Sequence, residues 1–163
     1  MSKNQIVFIC TGNICRSPMA EGILRKKLSE SKVTDCTVSS MGTHGLDSKP
    51  ASENAVTVCS KKGIDISQHT SRQLVPEELL SADLIFTMEF VHKEFIKLFF
   101  PRVLDNTFLL GSWPGKESKK GNIKDPIGGS LKAYQKSFDT IAKHIDRVYP
   151  LILESVAPYK VSN

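Results

Sequence analysis

The chain has 163 residues, a net charge of +5, and 40% hydrophobic against 24% charged residues, with no apolar run longer than a handful of positions. These values predict a single soluble domain spanning 1–163 and exclude a membrane span, a signal-peptide core or a disordered chain. The lysines are dispersed with no aromatic platform between them, and Cys10, Cys15, Cys36 and Cys59 form no C-x-x-C pair, so neither nucleic acid nor a zinc site is expected. A cytoplasmic protein needing no metal and no cofactor, with no membrane partner, is the expectation.

In chain order, the run Ile6-Val7-Phe8-Ile9 predicts a strand covered on both faces of a parallel sheet, with Cys10 at its carboxyl end. A helical pattern begins at Ser17, with Pro18 suited to the first helical position and Ala20, Ile23, Leu24 and Leu28 on one face. The intervening loop can curl so that the N–H groups of Thr11 through Arg16 point inward at the positive end of the helix, where a tetrahedral dianion fits. Gly12 is expected to supply a backbone angle that other residues avoid, and Asn13 to take a left-handed conformation while bracing the loop with its amide. Arg16 closes the ring with a planar fork that binds two phosphate oxygens. Cys10 lies beneath, and the same dipoles and charge favour its thiolate, an activated nucleophile. Ser17 is placed to donate a hydrogen bond to that sulfur, with a helix N-cap as its alternative role.

The stretch Cys10-Thr-Gly-Asn-Ile-Cys-Arg-Ser-Pro-Met-Ala-Glu21 resembles the signature of the low-molecular-weight protein tyrosine phosphatase family. Thioredoxin-coupled arsenate reductases carry nearly the same loop on a similar fold, so the rest of the chain must separate the two. The resemblance covers essentially the whole sequence. It implies a three-layer α/β sandwich whose four-stranded parallel sheet is flanked by helices, with the site at its carboxyl edge. It also suggests that peroxide joins Cys10 to Cys15 in a reversible disulfide, the alternative being that Cys15 is an inert loop residue.

Thr37-Val38 predicts a second strand running into Ser39-Ser40-Met41-Gly42-Thr43, followed by an irregular loop to Ala51. In the family this loop is a substrate-facing wall; members favouring aryl phosphates often carry an aromatic there, whereas this chain offers His44 and Leu46. A second helix follows over Ala55 to Lys62, with Gly63 as a left-handed cap and Cys59 in the core. The segment Ile64 to Leu74 resembles one whose histidine braces the phosphate loop, which would join His69 to Asn13 and Ser40 in a hydrogen-bond network. His92 and His144 carry no pattern beyond surface placement.

Pro76 to Leu80 predicts a short helix and Asp83 to Met88 a third buried strand, with Glu89 at its carboxyl end placed to brace Arg16 or the loop. The helix from Phe90 to Phe99 is read with Phe95, Leu98 and Phe99 on one face. In arsenate reductases it carries two redox cysteines, and neither is present here. Val103-Leu104 and Thr107 to Leu110 mark a fourth strand region. Gly111 to Lys124, rich in Gly, Ser and Lys, reads as a mobile loop whose Trp113 covers its own apolar floor.

Asp125-Pro126 supplies the second half of the chemistry. A phosphate ester loses its alkoxide or phenoxide only at high cost, so a carboxylic acid over the cradle must protonate the leaving oxygen, and Asp125 resembles the family's general acid. Many eukaryotic members have two tyrosines after Asp-Pro; Ile127-Gly128-Gly129-Ser130 instead resembles a bacterial branch that includes phosphoarginine phosphatases, which have threonine where this chain has Ile14. A bulky Ile14 should pack against a phenyl ring and disfavour a guanidinium. The reading is therefore phosphotyrosine hydrolysis on protein substrates, with inorganic phosphate as product and inhibitor; arsenate reduction, arginine dephosphorylation and a non-catalytic phosphate-binding module are the alternatives. Leu131, Tyr134, Phe138, Ile141, Ile145, Val148 and Ile152 predict a last amphipathic helix that Pro150 bends or interrupts. No chemistry is assigned to Tyr134, Tyr149 or Tyr159.

Overall fold

In the computed structural model, which describes residues 4–156, four strands form one parallel sheet in the order β2-β1-β3-β4. They are β1 (Asn4–Cys10), β2 (Cys36–Gly42), β3 (Leu84–Thr87) and β4 (Thr107–Leu109). Five α-helices are described with them: α1 (Arg16–Glu30), α2 (Glu53–Ser60), α3 (Pro76–Ser81), α4 (Phe90–Phe99) and α5 (Leu131–Val156). Tyr159 lies outside the described residues.

The period of two along β1 divides the core. Ile6 and Phe8 face a cluster containing Met19 and Leu24 of α1 and Ile141, Ile145 and Val148 of α5. Val7 and Ile9 face the other side, against Leu79 of α3, Ile85, Ile96 of α4 and Val103. Buried on both faces, β1 needs its unbroken apolar run. The layers are helix, sheet, helix. Because β1 sits between β2 and β3, the chain leaves it in one direction across the sheet and later returns on the other side, which opens a crevice at its carboxyl end. Cys10 is the last residue of that strand, paired in register with Gly42.

Several local expectations change. Helix α1 begins at Arg16, so Pro18 occupies its third position and Ser17 lies inside the first turn rather than capping it. Val103 and Leu104 belong to a 3-10 helix, Pro101–Asn106, because Pro101 starts a tight turn before the short β4. On α4 the buried positions are His92 and Ile96, while Leu98 is 72% and Phe99 59% exposed. Pro150 does not interrupt α5: it lies on the exposed face, where water can satisfy the carbonyl one turn back. The loop after β4 is tethered rather than free. Trp113 meets Phe86 edge-on and Phe108 at a tilt, Glu117 pairs with Lys93 at 2.6 Å, and the N–H of Ile123 donates to the Met88 carbonyl at 2.8 Å.

Candidate active site

The loop from Cys10 to Ile14 is held from outside. Its carbonyls accept in turn from Thr43 N (3.0 Å, to Cys10), His44 N (3.0 Å, to Thr11), Leu46 N (3.3 Å, to Gly12), His69 Nε2 (2.7 Å, to Asn13) and Ser52 N (2.8 Å, to Ile14). With five successive carbonyls turned outward, the peptide units present their N–H groups to the interior. Among the described residues, none of the amides from Thr11 to Arg16 donates to a protein acceptor. Unpaired N–H groups concentrated in this way make an anion site.

Two glycines admit the supporting loop. A Cβ on Gly42 would stand 2.4 Å from the Thr11 carbonyl oxygen, and one on Gly45 2.0 Å from the Arg72 carbonyl oxygen. Gly12 does not take a left-handed backbone; Asn13 does, with φ 58°. The left-handed residue is Asn13, as expected, where a side chain able to hydrogen-bond locally tolerates it, and Gly12 is not needed for it.

Asn13 is fully buried and fully used. Its Nδ2 donates to Ser17 Oγ and Ser40 Oγ, both at 2.9 Å, and its Oδ1 accepts from Arg72 N at 3.0 Å. Ser40 in turn donates to Glu21 at 2.5 Å. His69 touches the backbone carbonyl of Asn13 rather than the side chains of this network. Cys10 Sγ lies 2.9 Å from Ser17 Oγ, and with Asn13 donating to that oxygen the Ser17 hydroxyl proton can point at the sulfur, the Met41 carbonyl at 3.5 Å being the more distant acceptor.

Arg16, 1% exposed, is gripped on three sides. Its Nη1 donates to Glu89 Oε2 at 2.6 Å and to the Ile123 carbonyl at 2.8 Å, and its Nη2 donates to Asp125 Oδ2 at 3.1 Å. Nε is buried and has no partner among the described residues. A guanidinium fixed by three of its five N–H groups, with those of Nε and one on Nη2 unspent among the described residues, is arranged to take an oxyanion. Asp125 is held by its other oxygen too, which accepts from Ile127 N at 3.1 Å.

The remaining positions lie around the opening. His44 is exposed and meets Phe95 edge-on at 5.6 Å, Leu46 is 47% and Ile127 59% exposed, and Ile14 is half-buried against the core. Cys15 is buried beside Tyr134, whose hydroxyl is 3.3 Å from its sulfur; burial raises the Cys15 thiol above its ordinary value and raises Tyr134 to about 12.

Sequence reading leaves out four groups that the structure brings here. His92, expected at the surface, is 1% exposed: Glu89 caps α4 reciprocally with it, its Nδ1 accepting from Glu89 N at 3.1 Å and its Nε2 lying 2.8 Å from Thr11 Oγ1. The signal was the three-residue spacing after a strand, the pattern of a capping box. Arg72 grips Glu78 with both ends of its fork at 2.5 and 2.7 Å while its own N–H holds Asn13, and Glu21 and Tyr134 complete the set.

A cysteine at the end of the switch-point strand, a ring of free amides and an arginine closing it define the class: a cysteine-centred oxyanion cradle on a parallel α/β sheet. The low molecular weight phosphotyrosine protein phosphatase family model matches residues 5–157, and the chain belongs to that family of phosphatases. The low molecular weight protein-tyrosine-phosphatase Etp of Escherichia coli K12 is 39% identical over 132 residues, 81% of this chain and 83% of that one. Among solved structures, the low molecular weight protein tyrosine phosphatase from T. tengcongensis matches with TM-score 0.85 at 37% identity, covering 91% of this chain and 99% of that one. The YwlE arginine phosphatase from Geobacillus stearothermophilus matches with TM-score 0.86 at 32% identity, covering 98% and 99%. Among the described residues, no helix is long and apolar enough to cross a membrane.

Proposed function

We propose that the protein hydrolyses phosphotyrosine on protein substrates through a covalent phosphocysteine on Cys10. The observation that carries this reading is the ring of outward carbonyls, which leaves the amides from Thr11 to Arg16 without an acceptor among the described residues. The Cys10 thiolate attacks phosphorus in line, an S–P bond forms, and the bond from phosphorus to the phenolic oxygen breaks. Asp125, as the carboxylic acid, gives that oxygen its proton. Water then attacks phosphorus while the Asp125 carboxylate takes its proton, and the S–P electron pair returns to Cys10 with Ser17 donating to the sulfur. The cradle amides and Arg16 stabilise the charged equatorial oxygens throughout, and the steps use no metal. Inorganic phosphate is the product and a competitive inhibitor.

Support for an aryl ester comes from the apolar side chains on segments bonded to the cradle and the acid, Ile14 in the loop, exposed Leu46 whose N–H holds Gly12, and exposed Ile127 whose N–H holds Asp125, which suit a flat ring better than a guanidinium. Asn13, Ser40, His69 and Glu89 hold the cradle without touching substrate. The setting we assign is the cytoplasm, where thiols stay reduced.

The test is phosphate release from p-nitrophenyl phosphate, a phosphotyrosine peptide and phosphoarginine, beside thiol-dependent arsenate reduction, with chelator in every tube. Aryl-phosphate turnover abolished in Cys10→Ser and sharply reduced in Asp125→Ala is the expected result. Preferred turnover of phosphoarginine would overturn the substrate assignment, and arsenate reduction without phosphate release would overturn the reaction.

A further inference from the structure

The His92 ring has a determined polarity. Because the Glu89 N–H donates to Nδ1 at 3.1 Å, that nitrogen carries its lone pair and the ring proton sits on Nε2. Nε2 therefore donates to Thr11 Oγ1, 2.8 Å away. Burial, aided by the positive charge of Arg16, keeps the ring neutral by lowering its pKa to about 3, so the tautomer is stable where phosphatases work. Thr11 immediately follows the nucleophile and is exposed at the rim, and its hydroxyl has no other partner among the described residues. With one lone pair taken by the ring N–H, its own proton must point away from His92.

Resting on the phosphatase reading above, we propose that His92 is a positioning residue that holds the Thr11 hydroxyl as a hydrogen-bond donor to the phosphoester bound over Cys10. A phosphoryl oxygen accepts hydrogen bonds and offers none. A free threonine rotor can turn its proton elsewhere and present a lone pair to that oxygen. His92, acting only as a donor to Thr11, engages one lone pair and confines the hydroxyl proton to the two positions facing away from the ring, where a phosphoryl oxygen is the acceptor that fixes it.

The experiment measures KM and kcat for p-nitrophenyl phosphate and Ki for inorganic phosphate in the full chain, comparing Thr11→Val, Thr11→Ser, His92→Met and the Thr11→Val/His92→Met pair. Thr11→Val is expected to raise KM and Ki about tenfold, as loss of a hydrogen bond to a charged group would, with the smaller effect on kcat. His92→Met should shift both in the same direction by a smaller factor, the double variant should be no worse than Thr11→Val, and Thr11→Ser should keep the wild-type KM. Multiplying effects in the double variant, or an unchanged KM in His92→Met, would overturn the proposal. Should His92→Met not fold, long-range nitrogen–proton NMR of the wild-type ring decides: the Nε2–H tautomer without titration from pH 5 to 8 is expected, and an Nδ1–H or titrating ring overturns it. Turnover that survives Cys10→Ser would instead sink the phosphatase reading, a result distinct from failure at Thr11.

Discussion

Asp125 Oδ2 accepts a hydrogen bond from Arg16 Nη2 at 3.1 Å, so the proposed acid and the arginine of the cradle are joined directly across 109 positions of sequence. The carboxylate thus occupies one donor of the same guanidinium that the phosphoryl group needs. Replacing Asp125 by alanine should lower kcat for phosphotyrosine peptide about 10²- to 10⁴-fold, the range of general acid catalysis. Phosphate affinity should be kept or improved, because Arg16 loses a competing anion. A weakened phosphate Ki, measured by competition, would contradict that arrangement.

Glu89 works at the other edge of the guanidinium, 2.6 Å from Nη1. Glu89→Ala leaves a buried arginine without its main counter-charge and removes a helix cap, for an expected loss of about 1–3 kcal/mol of stability. KM should rise, since a loosened Arg16 no longer presents Nε in a fixed direction. Urea unfolding alongside steady-state kinetics checks both halves; a stable variant with unchanged KM would show that Ile123 and Asp125 suffice.

Asn13 combines a left-handed backbone with three side-chain hydrogen bonds, and two substitutions separate these contributions. Asn13→Gly keeps the conformation and loses the bonds, while Asn13→Ala loses both. The alanine variant should be the less stable by about 1–2 kcal/mol, the cost of placing a Cβ in that region. Equal stabilities would mean that the loop abandons the turn once its braces are gone.

Acid should weaken the fold through His92. The unfolded chain takes up a proton on this side chain near its ordinary value of 6.5, whereas the folded protein resists until about 3. Unfolding therefore binds a proton in this window: the stabilising effect is fully present above 6.5 and is lost as pH falls toward 3, by an amount on the order of a few kcal/mol. His92→Gln cannot titrate and should show a flatter dependence of urea midpoint on pH between 7 and 4. A slope equal to that of the wild type would remove His92 as the source.

Much of this was readable in the residues because local chemistry demands it. An apolar run ending in Cys10, a helix pattern resuming after Arg16 and an acid before a proline carry the strand, the loop and the candidate acid on their face. What stayed hidden depends on which residues meet across the fold. His92 looks like any polar residue on an amphipathic helix until β3 and α4 bring it to Thr11, and Arg72 has no local pattern that points to Asn13. The face of α4 differs from the expected one for a related reason: Leu98 and Phe99 are apolar yet exposed, whereas Ile96 and the polar His92 point inward. Hydrophobicity marks a stripe, and packing decides which stripe is covered.

The five outward carbonyls of the cradle are held by Thr43, His44, Leu46, Ser52 and His69, and the arginine by Glu89, Ile123 and Asp125. A chain still being synthesised thus carries its thiol well before the later segments that give it the shape reactive toward phosphate. Each later segment to emerge closes one more side of the ring, and the acid is among the last. Appearance of turnover in a translation time course should then lag far behind the cysteine itself, so that catalysis serves as a clock for the completion of folding.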